Sequence, residues 1–274
     1  MPRLAVLGQP VTHSRSPAMQ TAALRDLGLG GEWSYEAIEV APDDFEELVR
    51  GMEGEGFAGA NVTVPHKLAA LAVADSASPA ANGIGAANTL SFADGRIAAF
   101  NTDASGILGA LPVSPEGRRA LVLGAGGSAR AAIWALAGAG AKVCVWNRTS
   151  ERAARLADEL GGSVVEPDPG TGTLPLERFD LVLNATSVGL NDASHPGTDL
   201  KALRLDDDGF HEGHLVMDLV YGAAPTQLLA AAAAGGASVV DGLEVLVHQG
   251  AASLRIWTGR TPSVEVMRSA ARES

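Results

Sequence analysis

The chain has 274 residues, 46% of them hydrophobic, enough for one large domain or two modest ones with separate cores. A formal net charge of −12 argues against nucleic acid or an anionic membrane as partner, because a phosphate-rich surface would be repelled overall. The single cysteine, Cys144, can form no intrachain disulfide and fits a reducing cytoplasm. Neither a signal peptide nor an apolar run of roughly 18 residues is read, so no membrane span is expected.

Strand and helix patterns alternate along the chain, which predicts parallel α/β architecture. Residues 3–7 read as a strand, 17–27 as a helix, 35–40 as a strand and 42–53 as one acidic amphipathic helix. A strand over 59–64 leads into a helix over 65–74, and 88–92 with 96–100 form a hairpin across Asp94-Gly95. A helix over 103–111 runs into Pro112 and Pro115, a boundary signal. Beyond it, strands near 120–123, 142–146, 180–184, 215–219 and 237–240 have the spacing of a nucleotide-binding βαβ series. Residues 167–175 and 192–197 read as loops, and 243–259 as a helix long enough to pack back on the first domain. The expected domains are 1–103, completed by the tail 246–274, and 104–245.

Several polar residues stand where a bland fold would not need them. In Ser14-Arg15-Ser16-Pro17, Pro17 suits the first helical position and Ser16 the N-cap. Two hydroxyls at a positive helix end also make a cradle for a carboxylate, and the two readings stand level. In Asn61-Val62-Thr63-Val64-Pro65-His66-Lys67, side chains alternate, so the valines suit a core and Asn61 and Thr63 share the other face. That places an amide and a hydroxyl at a strand's C-terminal end, where open α/β sheets bind ligands. Lys67 falls in the first turn of the next helix, against the helix dipole; a solvated surface lysine is the bland alternative, but placement beside Asn61 and Thr63 favours function. For Asp103, in Asn101-Thr102-Asp103, the plain reading is a helix cap, and for Asn88 a turn residue. A carboxylate paired with Lys67 would allow proton transfer.

Gly124-Ala125-Gly126-Gly127-Ser128-Ala129 lies between a short apolar strand and an alanine-rich helix. It is a G-x-G-x-x-A turn, whose backbone N–H groups and helix end can close on a pyrophosphate. About 20 positions on, an NAD site places an acidic residue for the ribose 2′-OH. Here the strand ends in Asn147-Arg148-Thr149, with Arg152 in the following turn, which suits a 2′-phosphate and predicts NADP(H). The six histidines show no ligand spacing, so no metal is expected; His66 reads as a bystander and His195 as a loop residue.

Together these motifs resemble the shikimate dehydrogenase family in identity and order, over about residues 4–261. Ser14-x-Ser16, Asn61 to Lys67, Gly85-Ala86-Ala87-Asn88-Thr89, Asn101-Thr102-Asp103, Gly124 to Gly127 and Asn147 to Thr149 carry the likeness. Asn184-Ala185-Thr186-Ser187, Asp218-Leu219-Val220-Tyr221 and Asp241-Gly242-Leu243, leading to Gln249, extend it. Two positions depart from the pattern. Gly222-Ala223-Ala224-Pro225-Thr226-Gln227 follows Tyr221 where the family usually has Asn-Pro and a later Thr-Pro, and Ala104 replaces a usual glycine.

The resemblance implies two α/β domains, a substrate domain and a Rossmann-type NADP-binding domain, with the active site in the cleft between them. It implies reversible NADPH-dependent reduction of 3-dehydroshikimate to shikimate, a step of aromatic amino acid biosynthesis, by a monomer or homodimer. Lys67 and Asp103 would be catalytic; Ser14 and Ser16, helped by Tyr221, would hold the substrate carboxylate; Asn61, Thr63, Asn88, Asp103 and Gln249 would hold the ring hydroxyls. The cofactor would meet residues 124–129, Asn147, Arg148, Thr149, Arg152, Ala185, Thr186, Leu219 and Gly242. Alternatives are a quinate/shikimate dehydrogenase, against which Ser14 argues mildly, and a non-catalytic regulator, against which Lys67 and Asp103 argue.

Overall fold

In the computed structural model, residues 1–190 and 197–274 are described; the loop expected at 192–197, with His195, lies outside them except for Gly197. The chain divides into two compact units, Met1–Gly109 with Leu246–Ser274, and Ala110–Val245. The division falls at 109/110 rather than 103/104, because the helix opened by Asp103 stays with the first unit.

The first unit begins β1 (Arg3–Gly8), α1 (Ser16–Asp26), β2 (Ser34–Glu39), α2 (Phe45–Gly51) and β3 (Phe57–Val62). It continues α3 (Lys67–Ala72), β4 (Ser76–Ala77), α4 (Pro79–Ile84), β5 (Thr89–Ala93), β6 (Arg96–Phe100) and α5 (Asp103–Ala110). The six strands form one sheet in the order β2-β1-β3-β5-β6-β4. The sheet is mixed rather than parallel throughout. Asp94 and Gly95 take φ of 55° and 71°, the left-handed pair of a tight hairpin turn that makes β5 and β6 antiparallel, and β5 also pairs antiparallel with β3. Phe45, Val49, Phe57, Val62, Leu90 and Ile97 bury the core on one side.

The single acidic helix expected over 42–53 is interrupted: 3-10 turns at Pro42–Asp44 and Glu53–Glu55 flank α2. Gly51 closes the α segment and Gly56, at φ 86°, ends the second turn, which is how glycine stops a helix. The strand expected to reach Val64 ends at Val62, so Val62 is buried but Val64 is 55% exposed and takes no part in the core. Pro65 lies in the intervening turn, after a cis peptide bond, and α3 starts two residues later at Lys67.

The second unit holds β7 (Arg119–Leu123), α6 (Gly127–Gly138), β8 (Lys142–Trp146), α7 (Ser150–Leu160), β9 (Ser163–Val164) and β10 (Leu181–Asn184). Then come α8 (Thr198–Ala202), β11 (Leu215–Asp218), α9 (Gln227–Ala234) and β12 (Ser238–Val240). Every strand pair is parallel and the order is β12-β11-β10-β7-β8-β9. This is the doubly wound nucleotide-binding order, whose switch point lies between the neighbours β7 and β10. The long helix α10 (Gly242–Thr258) belongs to the first unit from Leu246 onward, and α11 (Val264–Glu273) packs there on α1. No helix among the described residues is long and apolar enough to cross a membrane.

One close approach holds α10 on the first sheet. The Trp257 indole Nε1 donates to the Leu90 carbonyl at 2.9 Å, directly over Gly59. A methyl group at Gly59 would lie 2.6 Å from that carbonyl and overlap the indole. Gly59→Ala is therefore expected to lower stability by about 1–3 kcal/mol, the scale of overpacking. Urea unfolding should show a lower midpoint at an unchanged slope; an unchanged midpoint would contradict the packing.

Candidate active site

In the first unit, the strand ends bring Lys67, Asn88 and Asp103 together. Lys67 Nζ donates to Asp103 Oδ2 at 2.6 Å, and both side chains are only 12% exposed. The other oxygen, Oδ1, accepts from Asn88 Nδ2 at 2.8 Å, so each carboxylate oxygen has one designated donor. Asp103 is the first helical residue of α5 and does not cap it. Asn101 does so instead, its Oδ1 accepting the N–H groups of Asp103 at 3.1 Å and Ala104 at 3.4 Å. The carboxylate is thereby left for Lys67 and Asn88.

Asn88 is buried and far from a plain turn residue. Its Nδ2 also reaches Thr102 Oγ1 at 3.0 Å and Gln249 Oε1 at 3.2 Å. Its Oδ1 accepts the Thr102 backbone N–H at 2.7 Å and the Thr89 hydroxyl at 3.1 Å. Gln249 completes its own amide by donating from Nε2 to the Leu246 carbonyl at 3.1 Å. Asn61 belongs to the layer beneath: its Nδ2 donates to Ser253 Oγ at 2.9 Å and Thr89 Oγ1 at 3.2 Å, and its Oδ1 accepts the Tyr35 hydroxyl at 2.8 Å. Thr63 follows the end of β3, its backbone N–H on the Leu7 carbonyl, and its methyl group occupies the space that a side chain at Gly8 would need.

At α1 the roles of the serines are exchanged relative to the capping reading. The helix starts at Ser16, and Ser14 Oγ accepts the Ser16 N–H at 3.3 Å. Ser16 is buried and makes no cap. One turn on, Gln20 donates to the Gly250 carbonyl at 3.0 Å, which fixes the α1 start relative to the residue after Gln249. His66 is structural: Nε2 meets the Val40 carbonyl at 2.9 Å and the ring stacks on Phe45 at 4.6 Å. Burial pushes its pKa below the ordinary histidine value.

Thr89, Thr102, Ser253 and Tyr35 belong to this network although their chemistry was not read from the sequence. Thr89 and Thr102 adjoin Asn88 and Asp103, and Ser253 stands one helical turn after Gln249; those spacings were the available signals.

In the second unit, Gly124 leaves β7 at φ 116°, and a side chain there would press on the Ala185 carbonyl at 2.9 Å. Gly126 caps α6 with open space above it, so a ligand can approach the backbone N–H groups of 125–128. Ala129 is fully buried and serves helix-to-strand contact. Arg148, Thr149 and Arg152 are exposed at the start of α7, while Asn147 Nδ2 turns to the Thr149 carbonyl at 3.0 Å. Ala185 and Thr186 follow β10, Leu219 and Tyr221 follow β11, and Gly242 packs against the Leu219 carbonyl with no room for a side chain. This combination fits a dinucleotide carrying a 2′-phosphate: a bare glycine turn for the pyrophosphate, and arginines without an acidic residue at the second strand end.

Buried between β10 and β11, Asp218 accepts from Asn184 Nδ2 at 2.9 Å, Val220 N–H at 3.0 Å and Thr226 Oγ1 at 2.7 Å. Desolvation pushes its pKa up to about 6, against the pull of these donors, and the Asp199 carboxylate adds to the rise. No group of metal-ligating side chains occurs among the described residues.

Comparison with known proteins fits this geometry. Residues 6–90 match the family model described as shikimate dehydrogenase substrate binding domain, and 110–191 that described as shikimate/quinate 5-dehydrogenase. Residues 242–272 match the shikimate 5′-dehydrogenase C-terminal domain. The chain is 45% identical to a shikimate dehydrogenase (NADP(+)) of Thermus thermophilus, covering 100% of this chain and 99% of that one. It is 41% identical to the Methanopyrus kandleri protein of the same name, covering 98% and 94%. A crystal structure of the Thermus enzyme in complex with NADP(H) and shikimate superposes with a TM-score of 0.87, at 44% identity, covering 100% and 99%.

The Asp218 carboxyl gives a pH signature. Its pKa in the folded chain lies above the ordinary 3.8, so its protonated form stabilises the fold below about pH 4. That contribution is lost as pH rises through about 6. Measured against Asp218→Asn, wild-type unfolding free energy should fall between those two pH values; a difference that does not vary with pH would contradict the shift.

Proposed function

Because this chain belongs to the shikimate dehydrogenase family, we propose that it interconverts shikimate and 3-dehydroshikimate with NADP(H). The Lys67–Asp103 ion pair, held by Asn88, carries the reading: a sheltered ammonium beside a fixed carboxylate at a strand end can serve a reacting hydroxyl. When bound, NADP(H) supplies the hydride chemistry. Reduction of the ketone leaves charge on its oxygen, and Lys67 gives that oxygen a proton and a nearby positive charge. In the oxidative direction Lys67, entering as the neutral amine, takes the proton from the hydroxyl and becomes the ammonium. Asp103 keeps the ammonium in place and accepts a hydrogen bond from the reacting or adjacent hydroxyl.

The remaining contacts are assigned by chemistry and by family likeness. Ser14 and Ser16 offer hydroxyls to the substrate carboxylate, with Tyr221 as a further donor, and Thr63, Asn88 and Gln249 face ring hydroxyls. Asn61 supports them from below through Thr89 and Ser253. Gly124 to Ser128 cradle the pyrophosphate, and Arg148, Thr149 and Arg152 meet the 2′-phosphate. The single cysteine fits a cytoplasmic setting.

Absorbance of reduced nicotinamide near about 340 nm follows the hydride directly. With NADP+ present, shikimate should be turned over in preference to quinate; no NADP+ reduction with shikimate would overturn the assignment. Lys67→Ala should lower kcat about 10²- to 10⁴-fold with a much smaller change in shikimate KM. Near-normal turnover in a folded variant would remove Lys67 from the chemistry. Arg148→Ala should raise the NADP+ KM roughly ten- to a hundredfold, the value of a charge-assisted hydrogen bond, and leave NAD+ kinetics nearly unchanged. Equal losses with both cofactors would mean general damage rather than a phosphate contact.

A further inference from the structure

The segment from Gly222 to Gln227 leaves its family's pattern but keeps a threonine, Thr226, whose hydroxyl ties the segment to the strand before it. Between Tyr221 and Thr226 no large side chain is available for packing, and Gly222, Ala223, Ala224 and Pro225 are all exposed. Thr226 caps α9, its Oγ1 accepting the Leu229 N–H at 3.3 Å, and the same hydroxyl donates its proton to Asp218 Oδ2 at 2.7 Å. At the other end of the loop, the Val220 N–H bonds Asp218 Oδ1 at 3.0 Å. One carboxylate therefore grips both ends.

The neighbouring loop is tied to the same group. Asn184 and Asp218 are register partners at the ends of β10 and β11, and Asn184 Nδ2 donates to Asp218 Oδ1 at 2.9 Å and to the Val188 carbonyl at 3.2 Å. Asn184 Oδ1 then accepts both the N–H and the hydroxyl of Thr186, at 3.0 and 2.7 Å. The Asn184 carbonyl accepts the Leu219 N–H at 3.0 Å. Thr186 is thus set by the Asn184 amide, Leu219 by the Asn184 main-chain carbonyl and Val220 by the Asp218 carboxylate.

We propose that Asp218, Asn184 and Thr226 are positioning residues for the cofactor, a buried brace that sets Ala185, Thr186, Leu219 and Tyr221 at the ends of β10 and β11. The inference rests on the NADP(H) reading of those loops. A carboxylate is the group that suits three converging donors, since an amide in its place would turn an N–H toward one of them. Burial works against the ion, raising the pKa to about 6, and an ion kept in a fully buried place has to be held by specific partners. The Thr226 hydroxyl closes a loop in which Gly222, Ala223, Ala224 and Pro225 are all exposed.

Calorimetric titration of NADP+ into the wild-type chain, Thr226→Val and Thr226→Ser tests the brace without relying on turnover. Thr226→Val keeps the shape but loses the donor, and should weaken NADP+ binding about tenfold, as expected for a hydrogen bond to a charged group. Thr226→Ser restores the donor and should bind within about twofold of wild type. Urea unfolding of the same variants separates positioning from mere stability. A Thr226→Val chain that unfolds earlier but binds NADP+ as tightly as wild type would overturn the proposal, as would a Thr226→Ser chain no better than the valine. A wild-type chain that binds no NADP+ would overturn the family-based cofactor reading and the brace with it. Tight wild-type binding with no change in the valine variant would sink the brace alone.

Discussion

A carboxamide buried away from water must find partners for two N–H groups and a carbonyl, and Asn88 finds them on two separate segments, Thr102-Asp103 and α10. One partner is the carboxylate of Asp103, another the backbone and hydroxyl of Thr102, and a third the amide of Gln249 on α10. Because Asn88 occupies one oxygen of Asp103, the other is directed at Lys67. Loss of that amide would leave several buried polar groups unpaired at once, each at a cost of about 1–3 kcal/mol. The position of the charged pair is in this sense a consequence of satisfying an amide.

The second unit solves a similar problem with a carboxylate. Asp218 sits at the end of β11 as Asn88 sits at the start of β5, and each joins chain segments that are distant in sequence. In both units the polar groups gather at strand ends, where helices and loops leave backbone groups to be used. The apolar residues of the strands fix the sheets, so the polar residues beyond them are presented from rigid supports.

Much of this is legible in the sequence. Period-two strands, the Asp94-Gly95 turn and the glycine fingerprint are local signals, and local physics decides them. What local pattern could not decide was which of several adjacent polar residues would cap a helix. Ser14 rather than Ser16 accepts at α1, and Asn101 rather than Asp103 at α5, where Lys67 and Asn88 compete for the Asp103 carboxylate. Val64 reads as the next core position by alternation, yet the strand stops two residues earlier and exposes it. Ser253 and Thr226 make contacts across 192 and 8 positions, to Asn61 and Asp218, and spacing along one element carries no information about such partners.

The central claim is that Lys67 and Asp103 act as one unit, because each is held by the other. A double-mutant cycle on kcat, with Lys67→Met, Asp103→Asn and the pair, measures this directly. The account predicts strong non-additivity, with the double variant little worse than the more damaged single one. Losses that simply multiply would mean that the two groups contribute independently, and would contradict it.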